Sequence, residues 1–316
     1  MPHHARRPLD LAGGIYSEPE DTVLTTRALD YLSGGPKDVV DLIGHICSLP
    51  GAPRIVAEHM AHAMFAGRPQ FLKSADGRWM LADLTVNPYT VTRERSRPRG
   101  HAPDELLSSL SYVVVDTETT GGRSWLADRI TEFAAVVVHG GEIVEVYETL
   151  VNPQRSIPSF VTQLTNSTWD MVKNAPTFDR IAPEVMRMLE GNVFVAHNEA
   201  FDWRFVTTEV SRSTGRQLRG RRLCTVKIAR KVLPQLSRRS LDHVARYYGV
   251  EIRNRHRAAG DAVATAKCLV RMMSDLADRG CGTWGELQTL LRTPSLRRKK
   301  RRASGLPTPV TRDTTA

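Results

Sequence analysis

Two carboxylates stand one residue apart in Asp116-Thr117-Glu118, directly after the apolar run Tyr112-Val113-Val114-Val115. Side chains at i and i+2 of a strand leave on the same face, so Asp116 and Glu118 address one region. At about 4 Å two like charges repel by up to about 4 kcal/mol at an effective dielectric of 20. Such a pair at the mouth of a buried strand calls for a cation, although a solvated strand end would also carry it. A third acid, Asp202, closes His197-Asn198-Glu199-Ala200-Phe201-Asp202, which follows another apolar run, Val193–Ala196. In the first turn of a helix it could bind a metal, or simply complement the helix dipole for under about 1 kcal/mol. His197 reads as a packed, hydrogen-bonded residue with no chemistry. The fourth acid ends His256-Arg257-Ala258-Ala259-Gly260-Asp261. That spacing puts His256 in a loop and Asp261 at a helix start. A neutral imidazole beside a carboxylate-bound cation suits removal of a proton from water near neutral pH. A surface histidine among Arg253, Arg255 and Arg257 is the plainer reading of the same residues.

The elements that would position these groups follow from periodicity. SYVVVD (111–116) and NVFVAHN (192–198) are continuous apolar runs of strand length, as expected for central strands covered on both faces. ITEFAAVVVHGGEIVEVYETLV (130–151) reads as two strands joined at His139-Gly140-Gly141. A short strand is expected around Arg222–Val226. Helices are expected from Ala200, over LDHVARYYG (241–249) and over AAGDAVATAKCLVRMMSDL (258–276). Three meandering strands, then strands alternating with helices, predict a mixed sheet flanked by helices.

Jointly, DxE, HNxxFD and HxAxxD in this order resemble the DnaQ-like family of DEDDh 3′–5′ exonucleases. Ile130-Thr131-Glu132-Phe133, Ala175-Pro176-Thr177-Phe178 and Cys224-Thr225 also fit, so the resemblance spans roughly residues 108–280. It implies an α/β, ribonuclease H-like exonuclease fold: a mixed five-stranded sheet flanked by helices. It further implies that Asp116, Glu118, Asp202 and Asp261 hold two Mg²⁺ or Mn²⁺ ions, with His256 as general base and nucleoside 5′-monophosphates as products. The backbone at Thr119 and Thr120 and the side chain of Asn198 would lie near the terminal nucleotide. So would Leu164, although Gln163-Leu164-Thr165-Asn166 departs from the family's commoner His-Gly-Ile-Thr. The DTETTG form is similar to the polymerase III epsilon (proofreading) group. DNA 3′ ends are the expected partner, with RNA as the alternative, and the protein is either a DNA polymerase subunit or a free-standing enzyme in proofreading or repair. A non-catalytic nucleic-acid-binding protein is the competing class, against which all five catalytic positions are filled.

The remaining chain is organised around this region. Residues 1–20 lack periodicity and read as a flexible N-terminus. Residues 21–85 show three helical patterns and a hairpin at Ala75-Asp76-Gly77, a small α+β winged-helix-like unit. A linker is expected at 86–106, the exonuclease domain at 107–280, and a helix with a basic disordered tail at 281–316. The 316 residues carry a formal charge of +10, concentrated where residues 202–257 hold 15 Lys/Arg against four acids and Arg292–Arg302 adds seven more. Such fields attract polyanions. No apolar run approaches the roughly 18 residues of a membrane helix, and no secretion signal precedes residue 20, so a cytoplasmic protein without membrane partners is expected. The four cysteines (Cys47, Cys224, Cys268, Cys281) form no CxxC pair, which disfavours a zinc site.

Overall fold

A computed structural model describes residues 14–66, 68, 70–82, 105–124 and 127–293. The expectations for residues 1–13, for the end of the small N-terminal unit (83–85), for most of the linker (86–104) and for the basic tail from residue 294 fall outside these. Strand β1 (Tyr16–Pro19) is followed by helices α1 (Val23–Leu32), α2 (Val39–Cys47) and α3 (Arg54–Phe65), then strands β2 (Phe71–Lys73) and β3 (Trp79–Leu81). These helices and the β2–β3 hairpin enclose their own core, in which Leu42, Ile43 and Ala57 are fully buried and Phe65 stacks on Phe71 at 4.3 Å.

After residue 105 come β4 (Tyr112–Thr119), β5 (Ile130–His139), β6 (Glu142–Leu150), α4 (Ser159–Thr165), α5 (Trp169–Val172) and α6 (Phe178–Leu189). They are followed by β7 (Val193–Ala196), α7 (Ala200–Thr214), β8 (Arg216–Arg219), β9 (Arg222–Cys224), α8 (Thr225–Val232), α9 (Leu241–Tyr248), α10 (Ala258–Ala277) and α11 (Trp284–Arg292). Five strands form one mixed sheet in the order β6-β5-β4-β7-β9. β4–β5 and β5–β6 are antiparallel, whereas β4–β7 and β7–β9 are parallel. Gly140 and Gly141, both at positive φ (59° and 83°), make the two-residue turn between β5 and β6, the backbone a tight hairpin demands. The parallel β4–β7 pair requires a crossover, supplied by α4–α6.

The unbroken apolar character of β4 follows from burial on both sides. Tyr112 and Val114 join a core with α8, α9, α10 and α11, while Val113 and Val115 join the opposite one with α6 and α7. The helix beyond residue 280 is part of the first core: Trp284 and Leu287 are buried there, and the Trp284 N–H donates to the Glu105 carbonyl. The strand expected at 222–226 ends at Cys224, because Thr225 opens α8.

Residues 14–19 depart from the flexible N-terminus expected of them. β1 pairs antiparallel with β8 from Tyr16↔Arg219 to Pro19↔Arg216, and Ile15, 1% exposed, is buried in the core beside Leu189 and Phe194. A Cβ on Gly14 would lie 2.0 Å from the Gly191 carbonyl carbon, so only glycine lets the chain enter this slot. Arg216 fastens the strand by donating to Ser17 Oγ (3.0 Å) and to the Ser17 carbonyl (2.8 Å). Ile15→Ala is expected to destabilise the protein by about 2–5 kcal/mol, the usual cost of a large-to-small change in a core. Thermal unfolding compared with Tyr16→Ala, at a half-exposed neighbour, checks this; equal melting temperatures would show that Ile15 is not a core residue.

Candidate active site

Beyond Val114 β4 loses its partner β7 but stays paired with β5 through Asp116, Thr117 and Glu118, its register shifting between Glu118 and Thr119. A bulge at this point bends the strand and re-aims its side chains. Asp116 and Glu118 do share a face, and each places a carboxylate oxygen within 4.8 Å of the other and of Asp261. Asp261 arrives from the first turn of α10, at the opposite end of the motif from β4. Gly260 makes that approach possible: a Cβ there would sit 1.9 Å from the Arg253 carbonyl oxygen, in the loop that precedes the helix. The same loop holds Asn254 and His256 at positive φ (53° and 64°), a conformation non-glycine residues adopt only where surroundings fix it.

Asp202 stands beside this trio in a different capacity. It is buried in the first turn of α7, and its Oδ1 accepts from both the backbone N–H (3.0 Å) and the hydroxyl (2.9 Å) of Thr117. Asp202 thus holds the residue between the two β4 acids, tying α7 to the end of the strand. One of its oxygens is committed to that task.

Burial and mutual repulsion leave the four acids strongly perturbed. Asp116 is raised well above the usual carboxylate range, first by desolvation and then by Asp202, Asp261 and Glu118. Desolvation also dominates at Glu118, pushed up to about 8 with help from Asp261 and Glu132, and at Asp202, pushed up to about 7 against the lowering hydrogen bonds of Thr117. Asp261 is raised by desolvation, with Arg255 and His256 opposing. At these four acids the folded chain therefore holds protons that the unfolded chain releases, so their contribution to stability falls as pH rises from about 4 to 8. A divalent cation bound by the deprotonated acids reverses this penalty. Mn²⁺ added to EDTA-treated protein is expected to raise the melting temperature more at pH 8 than at pH 6; equal gains at the two pH values would detach the acids from cation binding.

The residues present fit a metal site. The donors are hard oxygens of the kind Mg²⁺ and Mn²⁺ prefer, and Asp261 Oδ1 is buried without a hydrogen-bond partner among the described residues. Its other oxygen, Oδ2, accepts from Arg255 Nη1.

His256 lies in the loop ahead of α10, with Nδ1 3.5 Å from Arg255 Nη1. His197 is packed as read: Nδ1 faces the Thr225 hydroxyl at 2.9 Å and Nε2 the Arg239 carbonyl at 3.0 Å. Thr119 turns its hydroxyl back to the Gly121 carbonyl (2.6 Å). The Thr120 amide donates to the Arg129 carbonyl (2.9 Å), and its side chain is fully buried. Asn198 adopts φ 78° between β7 and α7, its carbonyl accepting from Phe201 N–H. Leu164 is 62% exposed on α4, one turn after Phe160 at 65%.

Three residues near the acids carried little signal in the sequence. Glu132, opposite Glu118 in the β4–β5 register, is buried and paired with Arg257 Nε at 2.8 Å, which ties down the residue after His256. The sequence marked it only as a lone acid in an apolar strand, within the Ile130-Thr131-Glu132-Phe133 stretch that fits the family, and gave it no role. Arg255 reads as one of several loop arginines, and Asp242 as a helix-start acid, yet they form a two-point contact, Nε–Oδ1 2.9 Å and Nη2–Oδ2 3.3 Å.

The basic stretch is also less free than its charge suggests. Arg216 and Arg219 hold β1, Arg221 pairs with Glu105, Arg222 with Glu199 and Arg257 with Glu132. Its excess is in good part structural.

No helix among the described residues is long and apolar enough to cross a membrane. Residues 113–269 match the family model RNase_T, described as exonuclease. The chain is 41% identical over 158 residues to a PolC-type DNA polymerase III of Clostridium perfringens, a match covering 50% of this chain and 11% of that protein. It is 39% identical over 196 residues to a Mycobacterium tuberculosis protein provisionally named a bifunctional exonuclease/endonuclease, covering 60% of this chain and 30% of the relative. The chain thus spans less than a third of the length of these relatives. Among solved structures, exonuclease X in complex with 5′ overhanging duplex DNA is similar at 25% identity and a TM-score of 0.46, covering 57% of this chain and 99% of that one. The domain formed by residues 113–269, which contains Asp116, Glu118, Asp202, His256 and Asp261, belongs to the RNase_T exonuclease family.

Proposed function

We propose that the protein is a metal-dependent 3′–5′ exonuclease that removes nucleotides from DNA 3′ ends as nucleoside 5′-monophosphates, in replication proofreading or repair. The observation that carries this reading is the meeting of Asp116, Glu118 and Asp261 within 4.8 Å, from motifs some 140 residues apart in the chain. Asp116, Glu118, Asp202 and Asp261 would hold two Mg²⁺ or Mn²⁺ ions. Bound there, such ions neutralise charge on the scissile phosphate and make a coordinated water more acidic.

The protein's own groups do the rest. His256 accepts the proton of the attacking water. Asp202 keeps Thr117 in place and so fixes the separation of the two β4 carboxylates. Arg257, anchored on Glu132, steadies the loop from the other side. The PolC-type relative supports DNA as the substrate.

Purified protein with Mg²⁺ and matched 3′- and 5′-labelled strands, single-stranded or mispaired, of DNA and of RNA, tests the proposal. Labelled mononucleotide is expected first from the 3′-labelled DNA, and none in EDTA. Release from the 5′ label first, internal cleavage alone, or faster turnover of RNA would overturn polarity, reaction or substrate respectively.

A further inference from the structure

We propose that Arg255 is a phosphate ligand of the active site, contacting the scissile phosphate, and that Asp242 is the residue that positions it. This rests on the exonuclease reading of the acid cluster. Three arginines surround His256, and they point to different tasks. Arg257 is engaged by buried Glu132, and Arg253 lies at the surface beside Glu251. Arg255 alone of the three reaches the acid cluster, where its Nη1 meets Asp261 Oδ2 and lies 3.5 Å from His256 Nδ1.

The orientation is imposed from behind. Asp242, in the first turn of α9, takes Nε and Nη2 through its two carboxylate oxygens. α9 is itself seated by buried Leu241, Val244 and Ala245. A guanidinium held at two nitrogens has little rotational freedom left, so its remaining nitrogen is aimed in a fixed direction. That direction is the place where carboxylate oxygens converge and where His256 must meet water. The side chain is one-third exposed, so part of the guanidinium arm is within reach of a ligand from solvent.

Guanidinium N–H groups suit carboxylate and phosphate oxygens alike. A terminal nucleotide entering the cluster brings a phosphate to the acids' cations and to His256. Nη1 then has a second acceptor of the same geometry within its reach, while the Asp242 fork stays in place. Arg255 would select for a phosphodiester at this point and hold it in line with the attacking water.

The test uses the full chain with Arg255→Gln, Arg255→Lys, Asp242→Asn and the Arg255→Gln/Asp242→Asn double variant. Thymidine 5′-monophosphate, the product of a thymidine end, is the probe, titrated with Mn²⁺ present, and Mn²⁺ alone is titrated separately. Loss of a charge-assisted bond is expected to weaken monophosphate binding by roughly 10- to 100-fold in Arg255→Gln. Arg255→Lys should recover part of it, and Asp242→Asn should show a smaller loss that disappears in the double variant. The substrate KM should rise in parallel. Wild-type affinity for the monophosphate in Arg255→Gln, accompanied by tighter Mn²⁺ binding, would overturn the proposal and leave Arg255 as a counter-ion of the acids. Wild-type protein that binds Mn²⁺ but neither binds the monophosphate nor degrades DNA would overturn the exonuclease reading itself.

Discussion

Asp116→Asn, and separately Asp261→Asn, is expected to remove Mg²⁺-dependent release of mononucleotides by roughly 10³-fold or more while the protein remains folded. The two halves of this expectation have the same origin. Asp116 sits among Asp202, Asp261 and Glu118, and burial and these neighbours drive its proton affinity upward. An asparagine keeps the shape and gives up the charge. Bound cations would then lose a ligand; at Asp116 the fold loses only a repulsive group, whereas at Asp261 it also loses the ion pair with Arg255. In EDTA at pH 8 the Asp116→Asn variant should therefore melt no lower than wild type, and higher if repulsion outweighs the lost hydrogen-bonding capacity. Single-turnover assays on a 3′-labelled strand, paired with thermal unfolding, measure both. Activity within about tenfold of wild type in either variant would remove that acid from the chemistry.

The parts of the fold that the sequence disclosed are those whose cause is local. A strand buried on both faces reads as Val-Val-Val, and a tight hairpin reads as Gly-Gly. The candidate acids stood out because they interrupt such patterns, Asp116 and Glu118 ending an apolar run and Asp202 and Asp261 opening helices, but only the family resemblance joined them into one site. What stayed hidden depends on partners distant in the chain. β1 has four residues, Tyr-Ser-Glu-Pro, without an alternating pattern, and it becomes a strand only against Arg216–Arg219, some 200 positions later. β8 is equally mute, three of its four residues being polar. Ile15 enters a core it shares with no neighbour in sequence.

Charge pointed to the class of partner but not to the pairs within the fold. The arginines of residues 202–257 look like one field facing a polyanion. Instead, Arg222 meets a buried face of Glu199, Arg257 meets buried Glu132, and Arg255 stands between Asp242 and Asp261. A count of charges carries no information on which carboxylate each guanidinium faces. Asp202 shows the same limit in the acids. Its position at a helix start was legible, but its hydrogen bonds to Thr117 came from packing α7 against β4.

His256→Ala is expected to lower the turnover rate by about 10²- to 10⁴-fold, the usual contribution of a positioned general base. Monophosphate binding should change far less, since the imidazole handles the proton of water and Arg255 faces the phosphate. The strained backbone at this residue sharpens the test. φ of 64° is tolerated because Asn254, Gly260 and the Arg257–Glu132 pair fix the loop on either side. Alanine adopts that conformation no more readily than histidine, so a loop held by its surroundings should keep its shape in the variant, with an unchanged melting temperature. A pH profile separates base catalysis from loop placement. Loss of the base should flatten the rise of the rate with pH, whereas a displaced loop would lower the whole curve and keep its form. A variant that retains the wild-type rate at pH 7 would place the base elsewhere.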